Sequence, residues 1–270
     1  MIRKTILYGF LAAGGIIVAY PFAWMLGTSF KSLREANTPS LIPWPEQWLW
    51  RNYLETFEAA PFAMYFFNTF VVAIATTLAV VFTALLAGYA FARLRFRGRS
   101  ALFMLALATM MVPFEVTLIP NFILINRFGW YDSYAALIVP WCANAFSIFL
   151  MRQAFLALPA DYFDAAAMDG CGHLRFLFRI AAPMVRPTIA TVALFAFLSS
   201  YNALLWPLVV TANDSMRVVQ VGLTLFTVGE GVRTQLLMCA STIVILPTVA
   251  LYFFAQRTFL EGSITTGIKA

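Results

Sequence analysis

Six long stretches of this chain carry no Asp, Glu, Lys or Arg, or only one, and that pattern restricts what it can fold into. They are Thr5–Phe30, Ala59–Ala92, Ser100–Asn126 (broken only by Glu115), Ser133–Met151, Pro187–Asn213 and Thr234–Gln256. A helix crossing about 30 Å of hydrocarbon needs about 20 apolar residues, and each stretch meets or approaches that length. The 270 residues are 62% hydrophobic and 11% charged, whereas a soluble domain is about 25% charged. The pattern predicts an all-α integral membrane protein forming a single transmembrane domain over 1–270. Its spans are expected near 5–29, 63–92, 100–125, 133–152, 187–211 and 235–257, with a polar loop over 153–186.

Arg3 and Lys4 precede the first stretch, but its apolar run exceeds the about 7–15 residues of a signal-peptide core. It reads as a retained helix. Basic residues orient the whole. With the N-terminus inside, twelve Lys and Arg fall on the cytoplasmic side, among them Arg93, Arg95, Arg97, Arg99, Arg152, Arg175, Arg179 and Arg186. Six fall outside: Lys31, Arg34, Arg51, Arg127, Arg217 and Arg233. Orientation follows this bias, so both termini are expected in the cytoplasm. The pI near 9.4 then reflects anionic lipid rather than nucleic acid.

Bond-making chemistry is poorly supplied. Cys142, Cys171 and Cys239 are isolated and odd in number, and His173 is the only histidine. No disulfide framework or multi-histidine metal site follows from them. There is no Gly-x-x-x-x-Gly-Lys-Ser/Thr loop to cradle a nucleotide. Asp161, Asp164 and Asp169 lie together, but without a second histidine they make no convincing acid–base or metal set.

Four polar features interrupt the apolar pattern. The segment from Lys31 to Glu58 holds Pro39, Pro43, Pro45, Trp44, Trp48 and Trp50; it reads as an ordered arm on the outer interface, where tryptophan concentrates. Arg93-Leu-Arg-Phe-Arg-Gly-Arg99 reads as a topology determinant touching lipid phosphates. Glu115 lies between Pro113 and Pro120, either solvated at the outer mouth or facing a path, as ionisable groups within spans usually do. Ser199, Ser200 and Asn202 place polar groups around Tyr201 and before Trp206-Pro207, suited to contacts between helices or to a solute hydroxyl.

The polar loop has its own logic. Pro159 ends one helix, and Asp161 is placed to cap the next through its carboxylate. Asp164 approximates the acidic half of a capping box. Tyr162 to Asp169 is expected to be a helix of about 12 Å. Ala165, Ala166 and Ala167 favour the helix, and Gly170 supplies a left-handed residue that turns the chain back. Asp164, Met168 and Cys171 share one face by spacing, with Ala165 and Asp169 on the next. A short rod outside the bilayer results, either lying on headgroups through Tyr162 and Phe163 or fitting a groove in another protein.

The interval Asp164–Pro183 also resembles the loop by which permease subunits of binding-protein-dependent ABC importers dock onto their ATPases. That pattern is Glu-Ala-Ala, three residues, Gly, nine residues, Ile, one residue, Leu-Pro. Asp164, Ala165, Ala166, Gly170, Ile180 and Pro183 fall in register, with Asp164 for Glu and Ala182 for Leu. Ala87-Gly-Tyr-Ala-Phe-Ala-Arg93 resembles the helix-end signature of carbohydrate permeases, and Gly262, Gly267 and Lys269 match their tail.

The resemblance implies a type I importer permease with six transmembrane helices and a short cytoplasmic coupling helix, of the maltose and glycerol-phosphate second-permease type. It implies ATPase coupling through Asp164, Ala165, Ala166, Met168, Asp169, Gly170 and Cys171, and through the tail residues. It places Ser199, Tyr201, Asn202 and Glu115 near the substrate path. The implied partners are a second permease, two ATPase subunits that bind the ATP and Mg, an extracytoplasmic solute-binding protein and membrane lipid, all at a bacterial inner membrane. The chain itself is then no enzyme and holds no cofactor. An ion-coupled secondary transporter is the rival reading; it should show paired intramembrane charges or inverted repeats of broken helices.

Overall fold

The computed structural model describes residues 2–227 and 232–264, and the regular elements among them are all helical. In order these are α1 (Ile2–Ser29), α2 (Leu33–Ala36), α3 (Arg51–Ala59), α4 (Phe62–Arg93), α5 (Arg99–Ala108), α6 (Phe114–Arg127), α7 (Tyr134–Ile138) and α8 (Ala145–Ala157). There follow α9 (Asp161–Met168), α10 (His173–Phe176), α11 (Ala182–Met184), α12 (Arg186–Tyr201), α13 (Leu205–Val210), α14 (Val219–Thr224) and α15 (Thr234–Ile264).

Among the described residues, three segments are long and apolar enough to cross a membrane unbroken: Lys4–Ser29, Phe62–Arg93 and Thr234–Phe253. Three more qualify only as helix pairs meeting at a bend. Arg99–Met111 meets α6 at 101°, Tyr134–Trp141 meets α8 at 42°, and His173–Met184 meets α12 at 86°. The single helix expected over 100–125 is thus two helices. Pro113 pushes the residue before it out of helical geometry, and Val112 is extended at φ −85° and ψ 115°. Pro120 sits inside α6 without ending it. The helix expected over 187–211 stops at Tyr201 and resumes as α13. At the 42° bend Asn144 is extended, and its Oδ1 accepts the Ser147 N–H at 2.9 Å, which caps α8. A π-helical turn, Leu177–Ala181, ends one residue short of Pro183, whose missing N–H breaks the regular ladder.

The chain forms two compact units, residues 1–64 with 219–250 and residues 65–218 with 251–270. In the first, the arm after α1 folds onto that helix. A Cβ on Gly27 would stand 1.9 Å from the Pro43 carbonyl oxygen, so only glycine permits the approach. Trp24 Nε1 donates to Ser40 O at 3.2 Å, and Asn52 Nδ2 donates to Ser29 O and Lys31 O, each at 2.9 Å. Phe30 is ringed by Trp48, Trp50 and Tyr53. Lys31, counted above among the external surface charges, is buried and donates to Ile42 O at 2.8 Å. Trp44, Trp48 and Trp50 keep over half their surface exposed.

In the second unit, Asp132 adopts φ +57° and clasps a neighbouring loop. Its N–H donates to Val210 O at 2.9 Å, and its Oδ1 accepts from Ala212 N at 2.8 Å and Asn213 N at 3.2 Å. Partial burial acts to raise the Asp132 pKa, but these bonds, the Asn213 amide and the Arg217 charge outweigh it. The carboxyl is held below its usual range.

Candidate coupling helix and transport cavity

The rod is α9, eight residues and about 12 Å long at 1.5 Å per residue. It starts one residue earlier than expected, and the predicted Asp161 cap is not made. Ala160 occupies the cap position without a side-chain bond, and Asp161 is already helical. Asp161 and Asp164 both fall in the first turn, where their charge complements the positive end of the helix. The far end closes as expected. Gly170 has φ +68°, its N–H donates to Ala167 O at 3.0 Å, and the Cys171 N–H donates to Ala166 O at 2.9 Å. This pair of bonds is the Schellman motif.

The exposed side of the rod carries Asp164, Ala165, Ala167, Met168 and Asp169, with Met168 85% exposed. Ala166 is 7% exposed and packs into the core of its own unit, and Cys171 is half-buried. Ala166 therefore seats the rod in its own chain rather than presenting itself to a partner. Phe163 also turns inward, 4.4 Å between ring centroids from Phe176, which removes it as a headgroup anchor; Tyr162 remains exposed. Gly262 lies within α15, while Gly267 and Lys269 lie outside the described residues.

A cavity of about 530 Å³ opens within the second unit. Polar groups reach it from Thr69, Thr76, Asn144, Ser147, Ser199 and Ser200, and aromatic walls from Phe114, Trp141, Phe146, Phe195 and Trp206. Its size and apolar wall with few polar groups match small-molecule sites of about 300–1,000 Å³. Trp206 is fixed by an Nε1 bond to Ala136 O at 2.9 Å. Thr76 Oγ1 is buried with no hydrogen-bond partner among the described residues. Such a group is costly to leave unpaired, and a solute hydroxyl would satisfy it.

Of the four path residues expected from sequence, Ser199 alone lines this cavity. Tyr201 is buried and stacks on Phe197 at 5.7 Å. Asn202 is exposed and donates to Leu198 O at 2.8 Å, within its own helix end. Glu115 is exposed in the first turn of α6. The residues missed are Thr69, Thr76, Asn144 and Ser147. Two signals were present: threonines seven apart on one face of an apolar helix, and an Asn-x-x-Ser cap ahead of an apolar run.

Residues 80–259 match the family described as the binding-protein-dependent transport system inner membrane component. The chain belongs to that family. It is 35% identical over 205 residues to the arabinooligosaccharides transport system permease protein AraQ of Bacillus subtilis, covering 76% of this chain and 73% of that one. It is 32% identical over 262 residues to the sn-glycerol-3-phosphate transport system permease protein UgpE of Yersinia enterocolitica, covering 93% and 92%. A bacterial ABC transporter involved in import of the acidic polysaccharide alginate shares its fold, with a TM-score of 0.82 at 22% identity over 95% of this chain and 96% of that one. The protein is thus a membrane permease subunit of a binding-protein-dependent importer, with the all-α importer fold, and does transport rather than bond chemistry. Family membership sets aside the ion-coupled alternative.

Proposed function

We propose that this permease carries a neutral sugar or oligosaccharide through the cavity of its second unit, driven by ATPase subunits that grip α9 on the cytoplasmic side. The observation that carries the docking half is the rod itself: closed by the Gly170 motif, backed by the core at Ala166, and exposed along Ala165, Ala167 and Met168. Small side chains let a groove close tightly around a helix backbone. The basic bias puts α9 and both termini inside. A second permease would supply the other half of the path, and two ATPases would bind the ATP and Mg. Gly262, Gly267 and Lys269 are the tail positions assigned to the same interface, and Asp164 and Asp169 flank the groove contact.

The cavity supports the solute class. The relatives are named for arabinooligosaccharides and for sn-glycerol-3-phosphate, which differ in charge. No Lys, Arg or His lines the cavity among the described residues, so a phosphate would enter uncompensated, at a cost of several kcal/mol, about the effective penalty for a buried ion. Hydroxyls and an amide between aromatic walls suit a neutral polyol. Two measurements test the reading. Met168→Cys, in a background without Cys142, Cys171 and Cys239, should cross-link to an ATPase subunit from the cytoplasmic side. Labelled arabino-oligosaccharide should be taken up in preference to labelled sn-glycerol-3-phosphate. Absence of the cross-link sinks the docking half, and preferential phosphate uptake sinks the solute class.

A further inference from the structure

Docking alone does not explain how movement at α9 reaches the cavity, and the segment Gly88–Arg93 belongs to neither the docking face nor the cavity lining. It lies at the end of α4 and is where α4, α8 and α9 converge. Arg93 Nη2 donates to Phe155 O at 2.8 Å and to Leu158 O at 2.5 Å, holding the last carbonyls of α8 and the residue after them. The same guanidinium lies 3.7 Å over the Phe163 ring of α9. Its Nε is buried without a partner. Arg93 is therefore turned inward, not out to lipid phosphate as its sequence suggested. Tyr89, 4% exposed, packs edge-on to Phe155 at 5.7 Å and beside Phe163 at 6.4 Å, and its hydroxyl pairs with His173 Nδ1 at 3.0 Å. At Gly88 the two long helices cross so closely that a Cβ would stand 2.8 Å from Met151 Cβ and 3.0 Å from Arg152 N.

The helices gripped here are also those that wall the cavity. Thr69 and Thr76 belong to α4, Asn144 borders the start of α8, and Ser147 lies in its first turn. From Arg93 back to Thr76 is about 26 Å along α4 at 1.5 Å per residue. A continuous helix of that length carries displacement of one end to the other.

We propose that Gly88, Tyr89 and Arg93 form the joint that passes movement of the docked α9 into the cavity wall, with Arg93 as the positioning residue that ties Phe163 to the end of α8. This rests on α9 being the docking element. Arg93 acts through geometry: its Nη2 holds two carbonyls while the planar guanidinium covers a ring, a combination that lysine, without the planar face, reproduces only in part. Gly88 fixes the crossing, so that α4 and α8 move together. Such a chain of packed and hydrogen-bonded groups is a physical route for coupling, and its energetic reality is settled by perturbing it.

The test reads the cavity directly and needs no solute. In the assembled importer, with the native cysteines replaced, Ser200→Cys is labelled with a maleimide before and after ATP and vanadate are added, and the change in labelling rate is recorded. Docking is read separately by the Met168→Cys cross-link. Arg93→Gln should leave the cross-link in place while the ATP-dependent change falls about tenfold, the scale of losing hydrogen bonds to a charged group. Arg93→Lys should restore part of it. Phe163→Leu should weaken the response too, and should add little once Arg93→Gln is present, because the two residues act as one contact. A parental response from Arg93→Gln, or independent losses from Arg93→Gln and Phe163→Leu, would overturn the joint. Loss of cross-link and response together would overturn it as well, by showing that Arg93 only builds the docking site. An importer carrying Met168→Cys with Arg93 and Phe163 intact that fails to cross-link would instead bring down the docking reading and the joint with it. If Arg93→Gln does not accumulate in the membrane, Phe163→Leu decides alone: an unchanged response refutes the proposal.

Discussion

Replacing Gly170 separates the turn at the end of α9 from every other property of the loop. Nothing lies within 4 Å of a Cβ added there, while φ is +68°. A substitution that keeps the N–H therefore acts through backbone strain, not through a clash within the chain. Gly170→Ala should cost about 1–2 kcal/mol, the ordinary penalty for a side chain in the left-handed region. Gly170→Asn should cost less, since asparagine visits that region readily. Gly170→Pro should cost about 3 kcal/mol or more, because proline fixes φ near −65° and removes the N–H that reaches Ala167 O at 3.0 Å. With about 1.4 kcal/mol per tenfold in an equilibrium, alanine lowers the ratio of closed to frayed rod roughly tenfold and proline more than a hundredfold. The assays are oligosaccharide uptake by intact cells and the Met168→Cys cross-link, both corrected for the amount of chain in the membrane. Activity should fall in the order Gly, Asn, Ala, Pro. Asparagine performing worse than alanine would refute the reasoning, since side-chain size rather than backbone conformation would then govern. Parental uptake by the proline variant would refute the role of the rod itself.

Three further outcomes are expected. Ser199→Phe, which fills the cavity, should reduce oligosaccharide uptake more than Asn202→Leu, which lies outside it; the reverse order would move the path. Gln47→Cys should react with an impermeant thiol reagent from outside, while Gly98→Cys and Gly172→Cys resist it until the membrane is opened; outside labelling of Gly172→Cys would invert the topology. Asp132 has a folded pKa below its unfolded value, so its stabilisation is complete above the unfolded pKa near 3.9 and is lost as pH falls through the lower folded one. The Tm gap between the parent and Asp132→Asn should be constant at neutral pH and close in that acidic window; a gap that persists below it would show that the bonds do not depend on the charge.

The rod was legible because its features are local: an alanine run, acids in the first turn, and a glycine where the helix must reverse. Its two ends were each misplaced by one residue, the start because Asp161 is as acceptable inside a first turn as before it. The long apolar stretches were equally plain, but their breaks were not. Pro113 stands at a break and Pro120 lies inside α6, and nothing in the sequence around them tells the two apart. Arg93 was misread because four arginines at alternate positions look alike in sequence; Arg99 reaches one carbonyl within its own loop, whereas Arg93 holds two carbonyls of α8 and its end and covers the Phe163 ring. The cavity was the least legible part. Thr76 and Asn144 meet only through the packing of α4 against the start of α8, and no local pattern records a contact between such distant positions.

The seating of Ala166 and Phe163 against their own core bears on how the importer is put together. Helices shorter than about 12–15 residues are marginal in water, so eight residues would be an unsettled coil if detached. Here the permease supplies the order itself, before any partner arrives. Ordering a backbone costs about 1–2 kcal/mol per residue, and a partner that meets a finished helix is spared that cost. Capture and release can then repeat on every turnover without unravelling and rewinding what is held, so the contact behaves as a reusable mechanical coupling rather than as a segment that folds upon binding.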